Sequence, residues 1–133
     1  MDPTQNKIVL LVECEGYWIA VLRQMLREKG FGVFWAHNGL EAITLCTKLQ
    51  LHPDLLISSI HLPKMNGIDL AQWFRLRQPS IRILLLAEYS DLLPSDPDCY
   101  GKELKIVRRP GTKEIFWETI QELVPRSLNH FEV

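Results

Sequence analysis

The chain has 133 residues, of which 47% are hydrophobic, and a net charge of −1. That is the size of one domain with material for a true core, and the near-zero charge gives no electrostatic ground for binding nucleic acid. No apolar run reaches the ~18 residues of a membrane span, and the start, Met-Asp-Pro-Thr-Gln-Asn, lacks the character of a signal peptide. Arg75, Arg77 and Arg82 form one loose basic group, which reads as solvated surface. Cys14, Cys46 and Cys99 are odd in number and show no metal-ligand spacing, so free thiols in a reducing cytoplasm are expected.

In chain order, Ile8–Val12 is a continuous apolar run, as expected of a strand buried on both faces. From Gly16 to Lys29, Trp18, Val21, Leu22, Met25 and Leu26 recur at helical spacing, and Gly30 stops the helix. Gly32–Ala36 reads as a second strand. Asn38 precedes Gly-Leu-Glu, a cap residue with Glu41 three places on, and the helix it starts runs to about Leu49. The third strand is Leu55–Ser59. Pro63, Asn66 and Gly67 make a turn, Gly67 opens a helix to about Arg77, and Pro79 ends it. Ile81–Ala87 is the fourth strand and Lys105–Arg108 a weaker fifth. Thr112 caps a last helix that reaches Val124, with Ile115, Phe116, Ile120 and Leu123 inward, and Pro125 stops it.

Strand–helix alternation of this kind implies a parallel sheet with helices on both faces. One stretch resists it. Between Tyr89 and Arg109 the chain reads Ser-Asp-Leu-Leu-Pro-Ser-Asp-Pro-Asp-Cys-Tyr-Gly-Lys-Glu-Leu. Pro94 and Pro97 remove backbone donors, and Ser95, Asp96 and Asp98 favour turns. A fourth helix here is therefore short or missing, with one turn at Asp91–Leu93 and then irregular loop.

Four segments carry a family resemblance. They are Lys-Ile-Val-Leu-Leu-Val-Glu-Cys-Glu, the Asn-Gly-Leu-Glu-Ala helix start, the run from Pro53 to Gly67 (Pro-Asp-Leu-Leu-Ile-Ser-Ser-Ile-His-Leu-Pro-Lys-Met-Asn-Gly), and Arg-Arg-Pro-Gly-Thr. In this order they resemble a CheY-like response-regulator receiver domain over about residues 6 to 124. The resemblance implies a flavodoxin-like, doubly wound five-stranded parallel sheet of order 2-1-3-4-5, with its working crevice at the carboxyl ends of the strands. It makes residues 1–125 a receiver-like domain and 126–133 a tail.

In that family an aspartate at the end of the third strand accepts a phosphoryl group. It holds Mg²⁺ together with two acids after the first strand. A hydroxyl after the fourth strand and a lysine on the fifth bind the phosphoryl oxygens. The matching positions here are Ser59 for the acceptor, Glu13 and Cys14 for the acid pair, Ala87 for the hydroxyl and Arg109 for the lysine. Only Glu13 keeps a carboxylate. A serine needs an activating base, Cys14 offers no hard oxygen to Mg²⁺, and Ala87 donates nothing. Glu13 and Arg109 are expected to pair, directly or through water, and lock one state. The aromatic switch position on the fifth strand is Ile106, so there is neither a hydroxyl to pull nor a ring to swing.

Other residues have plainer readings beside sharper ones. Asp54 stands at the wrong end of its strand to be an acceptor and reads as turn polarity. His61 lies beside the pocket and reads as a loop residue, Glu15 as a helix-start charge, and Cys14 as a pocket filler. Trp117 follows Phe116, so both cannot face one core. It and the loop residues Pro94, Asp96 and Asp98 are the candidate interaction surface.

The resemblance and its departures imply an atypical receiver in two-component or phosphorelay signalling. It would be cytoplasmic and not an enzyme, would bind neither Mg²⁺ nor another cofactor, and would act by phosphorylation-independent contact with a protein such as a histidine kinase or a fused output domain. The runner-up is a receiver switched by another input, either a small ligand in the neutral pocket or phosphate on Ser58 or Ser59. An unrelated small α/β enzyme is disfavoured: there is no Gly-rich phosphate loop, no Cys-x-x-Cys and no nucleophile–base pair at recognisable spacing.

Overall fold

The computed structural model describes residues 7–13, 16–93, 103–109 and 111–124. In chain order these form β1 (Ile8–Val12), α1 (Gly16–Glu28), β2 (Gly32–Ala36), α2 (Gly39–Leu49), β3 (Leu55–Ser59), α3 (Gly67–Arg77), β4 (Arg82–Glu88), β5 (Leu104–Arg109) and α4 (Lys113–Leu123). The strands pair in parallel, in the order β2-β1-β3-β4-β5. The sheet reverses direction of growth at β1 and β3, where Val12 lies opposite Ser58. On the other side of β3, Ser59 lies opposite Leu86.

Alternation along each strand feeds two cores. Val9, Leu11, Ile57, Leu84, Leu86 and Val107 join α1 and α4 on one face, around the fully buried Phe116. Leu10, Val12, Leu56, Ile83, Leu85 and Ala87 join α2 and α3 on the other. Both faces are covered, which explains why β1 and the middle of β4 are continuously apolar rather than alternating. Each fully buried Leu or Ile stabilises the fold by about 1.5–3 kcal/mol relative to exposure.

The helix starts follow their capping chemistry. Asn38, Asn66 and Thr112 each accept the backbone N–H three residues on, from Glu41, Asp69 and Ile115. Glu41 reaches back to the His37 backbone N–H (3.2 Å) rather than to that of Asn38 itself, and also bonds the His37 ring. The expected capping box is therefore shifted by one residue at its second bond.

Between β4 and β5, the turn of helix expected at Asp91–Leu93 does not form. The Asp91 N–H closes a tight turn onto the Glu88 carbonyl (3.1 Å). The carbonyls of Glu88, Tyr89 and Asp91, which a helix would need, are taken by the Arg108 side chain. Residues 94–102, with Pro94, Asp96 and Asp98, lie outside the described residues, as do residues 125–133.

Of the three arginines read as solvated surface, two are engaged with neighbours and the third is partly buried. Arg77 lies over the Trp73 ring at 3.8 Å, Arg82 pairs with Glu103 at 3.2 Å, and Arg75 has two guanidinium nitrogens buried. Trp117 is half-buried: Phe31 meets its ring edge-on at 6.4 Å and the Lys29 ammonium sits over it at 4.8 Å. Much of the apolar area offered by Trp117 is thus covered within the chain.

Candidate functional site

The carboxyl ends of β1, β3 and β4 bring Glu13, Ser59 and Ala87 to one end of the sheet, at the reversal between β1 and β3 where open α/β sheets place their ligands. Arg109 ends β5 and pairs in register with Glu88. Its side chain and Cys14 lie outside the described residues, and so does the Glu13–Arg109 ion pair.

What is described there is closed. Glu13 is 1% exposed. Its N–H donates to the Ala36 carbonyl, and its own carbonyl accepts the Trp35 indole N–H at 2.9 Å, which holds the end of β1 against β2. Ser58 and Ser59 are both fully buried. The Ser58 hydroxyl donates to the Ser59 carbonyl (2.9 Å), and the Ser59 hydroxyl donates to the His61 carbonyl (3.4 Å). Ala87 is fully buried in the core beneath α2 and α3, and Ile106 packs at the edge of the same core.

The loop from β3 to α3 owes its shape to three residues in three different roles. Lys64, not Asn66 or Gly67, takes the left-handed backbone conformation (φ 70°), at a cost of about 1 kcal/mol for a residue with a Cβ. Asn66 is the helix cap, with an ordinary extended backbone. Gly67 is required by proximity: a Cβ there would lie 2.1 Å from the Ser59 carbonyl oxygen and 3.0 Å from the Ile60 Cα. Its N–H donates to the Ile60 carbonyl at 2.8 Å. The glycine lets α3 start directly against the strand that carries Ser59.

Across this loop runs a bridge that sequence reading did not find. His61 Nε2 meets Asp91 Oδ1 at 2.7 Å, joining the loop after β3 to the loop after β4. The other Asp91 oxygen accepts the Glu88 backbone N–H at 2.8 Å. Asp91 is held below the usual carboxylate range, chiefly by that backbone bond and then by His61. Arg108 completes the set, with one guanidinium nitrogen donating to Glu88, Tyr89 and Asp91 carbonyls at 2.9, 3.3 and 2.9 Å. The family resemblance drew attention to Arg109 and not to its neighbour Arg108, which reaches the loop after β4.

Asp54, read as turn polarity, does more at the other end of β3. Its carboxylate accepts the Ile8 backbone N–H (2.8 Å), so it ties the start of β1 to the start of β3.

A five-stranded parallel sheet of order 2-1-3-4-5, layered by helices on both faces and with its switch point at β1/β3, is a CheY-like, flavodoxin-like α/β domain. Comparison with known proteins narrows this. Residues 9–95 match the model of the response regulator receiver domain. The chain is 30% identical over 88 residues to sporulation initiation phosphotransferase F of Bacillus subtilis, covering 65% of this chain and 68% of that protein. It is 37% identical over 87 residues to the transcriptional regulatory protein CpxR of Escherichia coli, covering 65% of this chain and 36% of that one. Among solved structures, a receiver domain protein from Clostridium thermocellum superposes with a TM-score of 0.75 at 20% identity, over 91% of this chain and 96% of that one. The chain belongs to the response regulator receiver domain family.

Proposed function

We propose that this chain is a receiver that has given up phosphoryl transfer and signals by contact with another protein, within a two-component or phosphorelay pathway. The observation that carries the reading is Ser59. It stands at the carboxyl end of β3, fully buried, with its hydroxyl donating to the His61 carbonyl. A hydroxyl in that state is neither charged nor presented to a phosphoryl donor.

The donor set does not fit Mg²⁺. That ion requires near-octahedral oxygen ligation, usually by one or two carboxylates plus phosphate and water. The described side chains at these strand ends offer the Glu13 carboxylate, a buried hydroxyl already donating to a carbonyl, and the Ala87 methyl. No step is therefore assigned to a metal. Phosphorylation of Ser58 or Ser59 by a serine kinase is disfavoured for a related reason, since both hydroxyls are fully buried in the sheet.

The partner fits the pathway: a histidine kinase or an output domain joined to the receiver. No helix among the described residues is long and apolar enough to cross a membrane, and a cytoplasmic location is part of the proposal. The test is incubation with Mg²⁺ and acetyl phosphate, or with beryllofluoride, followed by intact mass and tryptophan fluorescence. No added mass and no fluorescence change are expected; a phosphoryl adduct overturns the reading. Ser59→Asp is expected to stay inert in the same assay, because Ala87 remains and the loop after β4 is already held by His61 and Arg108.

A further inference from the structure

A pocket among the described residues lies at the other end of the molecule. It is a cavity of about 320 Å³ between the carboxyl ends of α2 and α3. Cys46, Thr47, Gln50, Leu51 and His52 form one side, and Trp73, Phe74, Arg77 and Gln78 the other. That volume falls at the lower end of the ~300–1,000 Å³ range of small-molecule sites.

Its walls are held by the fold. Gln50 takes a left-handed backbone (φ 50°) and returns its N–H to the end of α2, and the Leu51 N–H bonds the Cys46 carbonyl at 2.9 Å. On the opposite wall, the Gln78 side chain is anchored to the Pro53 carbonyl at 2.6 Å. Trp73 and Phe74 meet edge-on at 5.0 Å. The Arg77 guanidinium lies over the Trp73 ring at 3.8 Å, so its plane is set before any ligand arrives. Among the described residues no carboxylate pairs with Arg77.

The lining chemistry selects a ligand class. Arg77 and His52 are basic, and the lining contains no Asp or Glu. Burial pushes the Cys46 thiol up to about 11, so it brings no negative charge. The negative ends of α2 and α3 are answered by Lys48, Arg75 and Arg77 in their last turns. We infer that this cavity binds a small, flat aromatic carboxylate, with its ring among Trp73, Phe74 and Leu51 and its carboxylate on the Arg77 fork. The site is separate from the strand ends that carry Ser59, and it stands whether or not the receiver accepts a phosphoryl group.

The test is titration of the full chain with naphthoate, followed by backbone amide NMR and tryptophan fluorescence, beside the neutral naphthamide. Saturable binding is expected, with shifts confined to residues 46–52 and 73–78. Naphthamide is expected to bind about ten-fold more weakly, and Arg77→Gln to weaken naphthoate about ten-fold while leaving naphthamide unchanged. Trp73→Leu tests the ring wall, and its thermal melt reports whether the variant folds. Absence of saturation at millimolar naphthoate, shifts centred on Ser59, or equal affinity in Arg77→Gln would each overturn the inference.

Discussion

The two ends of the sheet solve opposite problems. At the carboxyl end the described side chains are turned to the chain itself. Two serine hydroxyls donate to main-chain carbonyls, Ala87 is absorbed into the core, and a His61–Asp91 bridge with an Arg108 clamp holds the loop after β4. At the amino end, Trp73 and Arg77 face the left-handed cap of α2 across a cavity of about 320 Å³. The fold makes the carboxyl end the customary place for a ligand. Here the described side chains at that end are buried or bonded within the chain, and a cavity lies at the other. Location in a fold proposes a site; the polar groups left over decide whether it is one.

The contrast can be broken most sharply at Gly67. Gly67→Ala places a Cβ against the Ser59 carbonyl and the Ile60 Cα, backbone that cannot swing aside. A loss of about 3 kcal/mol is expected, read as a lower urea midpoint. A loss below about 1 kcal/mol would mean that α3 is not seated tightly on β3.

Arg108→Ala should be next. It removes three bonds to the loop after β4 and leaves those carbonyls to water. A loss of about 2 kcal/mol is expected, with faster amide hydrogen exchange at residues 88–91 and none at the cavity lined by Trp73. Asn66→Ala deletes the bond to the Asp69 N–H (2.8 Å) and should cost about 1 kcal/mol.

The smallest effect is on pH dependence. Asp91 is depressed in the folded chain, so its contribution is fully present above the ordinary carboxylate value of about 3.9. It is lost as pH falls through the lower folded value. Stability of the native chain should therefore fall more steeply than that of Asp91→Asn below about pH 4, and the two should run parallel above about pH 5. Parallel curves throughout would show that the Glu88 N–H and His61 do not hold the Asp91 carboxylate in solution.

Much of the scaffold was legible in the sequence. The boundaries of β1, β2 and β3 coincide with those read from the sequence, most simply for β1, whose five residues are all apolar because both its faces are covered. Asn38 and Thr112 announced their helices, since capping is local chemistry within three residues, whereas Asn66, read as a turn residue, proved to be a cap as well. The segment after Tyr89 was legible only in part. Its prolines argued against a helix, but what occupies its first carbonyls is Arg108, 17 to 20 residues along the chain. The state of the strand-end residues was not legible: nothing in the letters says that Ser59 donates to His61 or that Asp91 reaches across to it.

The sequence by itself determined a parallel α/β receiver with Ser59 at the end of its third strand, because periodicity, caps and motif spacing are properties of short stretches. The tertiary structure decided that Arg108 holds the loop after β4, why residue 67 must be glycine, and that a cavity lies between the ends of α2 and α3. Each of those depends on main chain and side chains brought together from separate strands and helices, at distances that sequence separation does not encode.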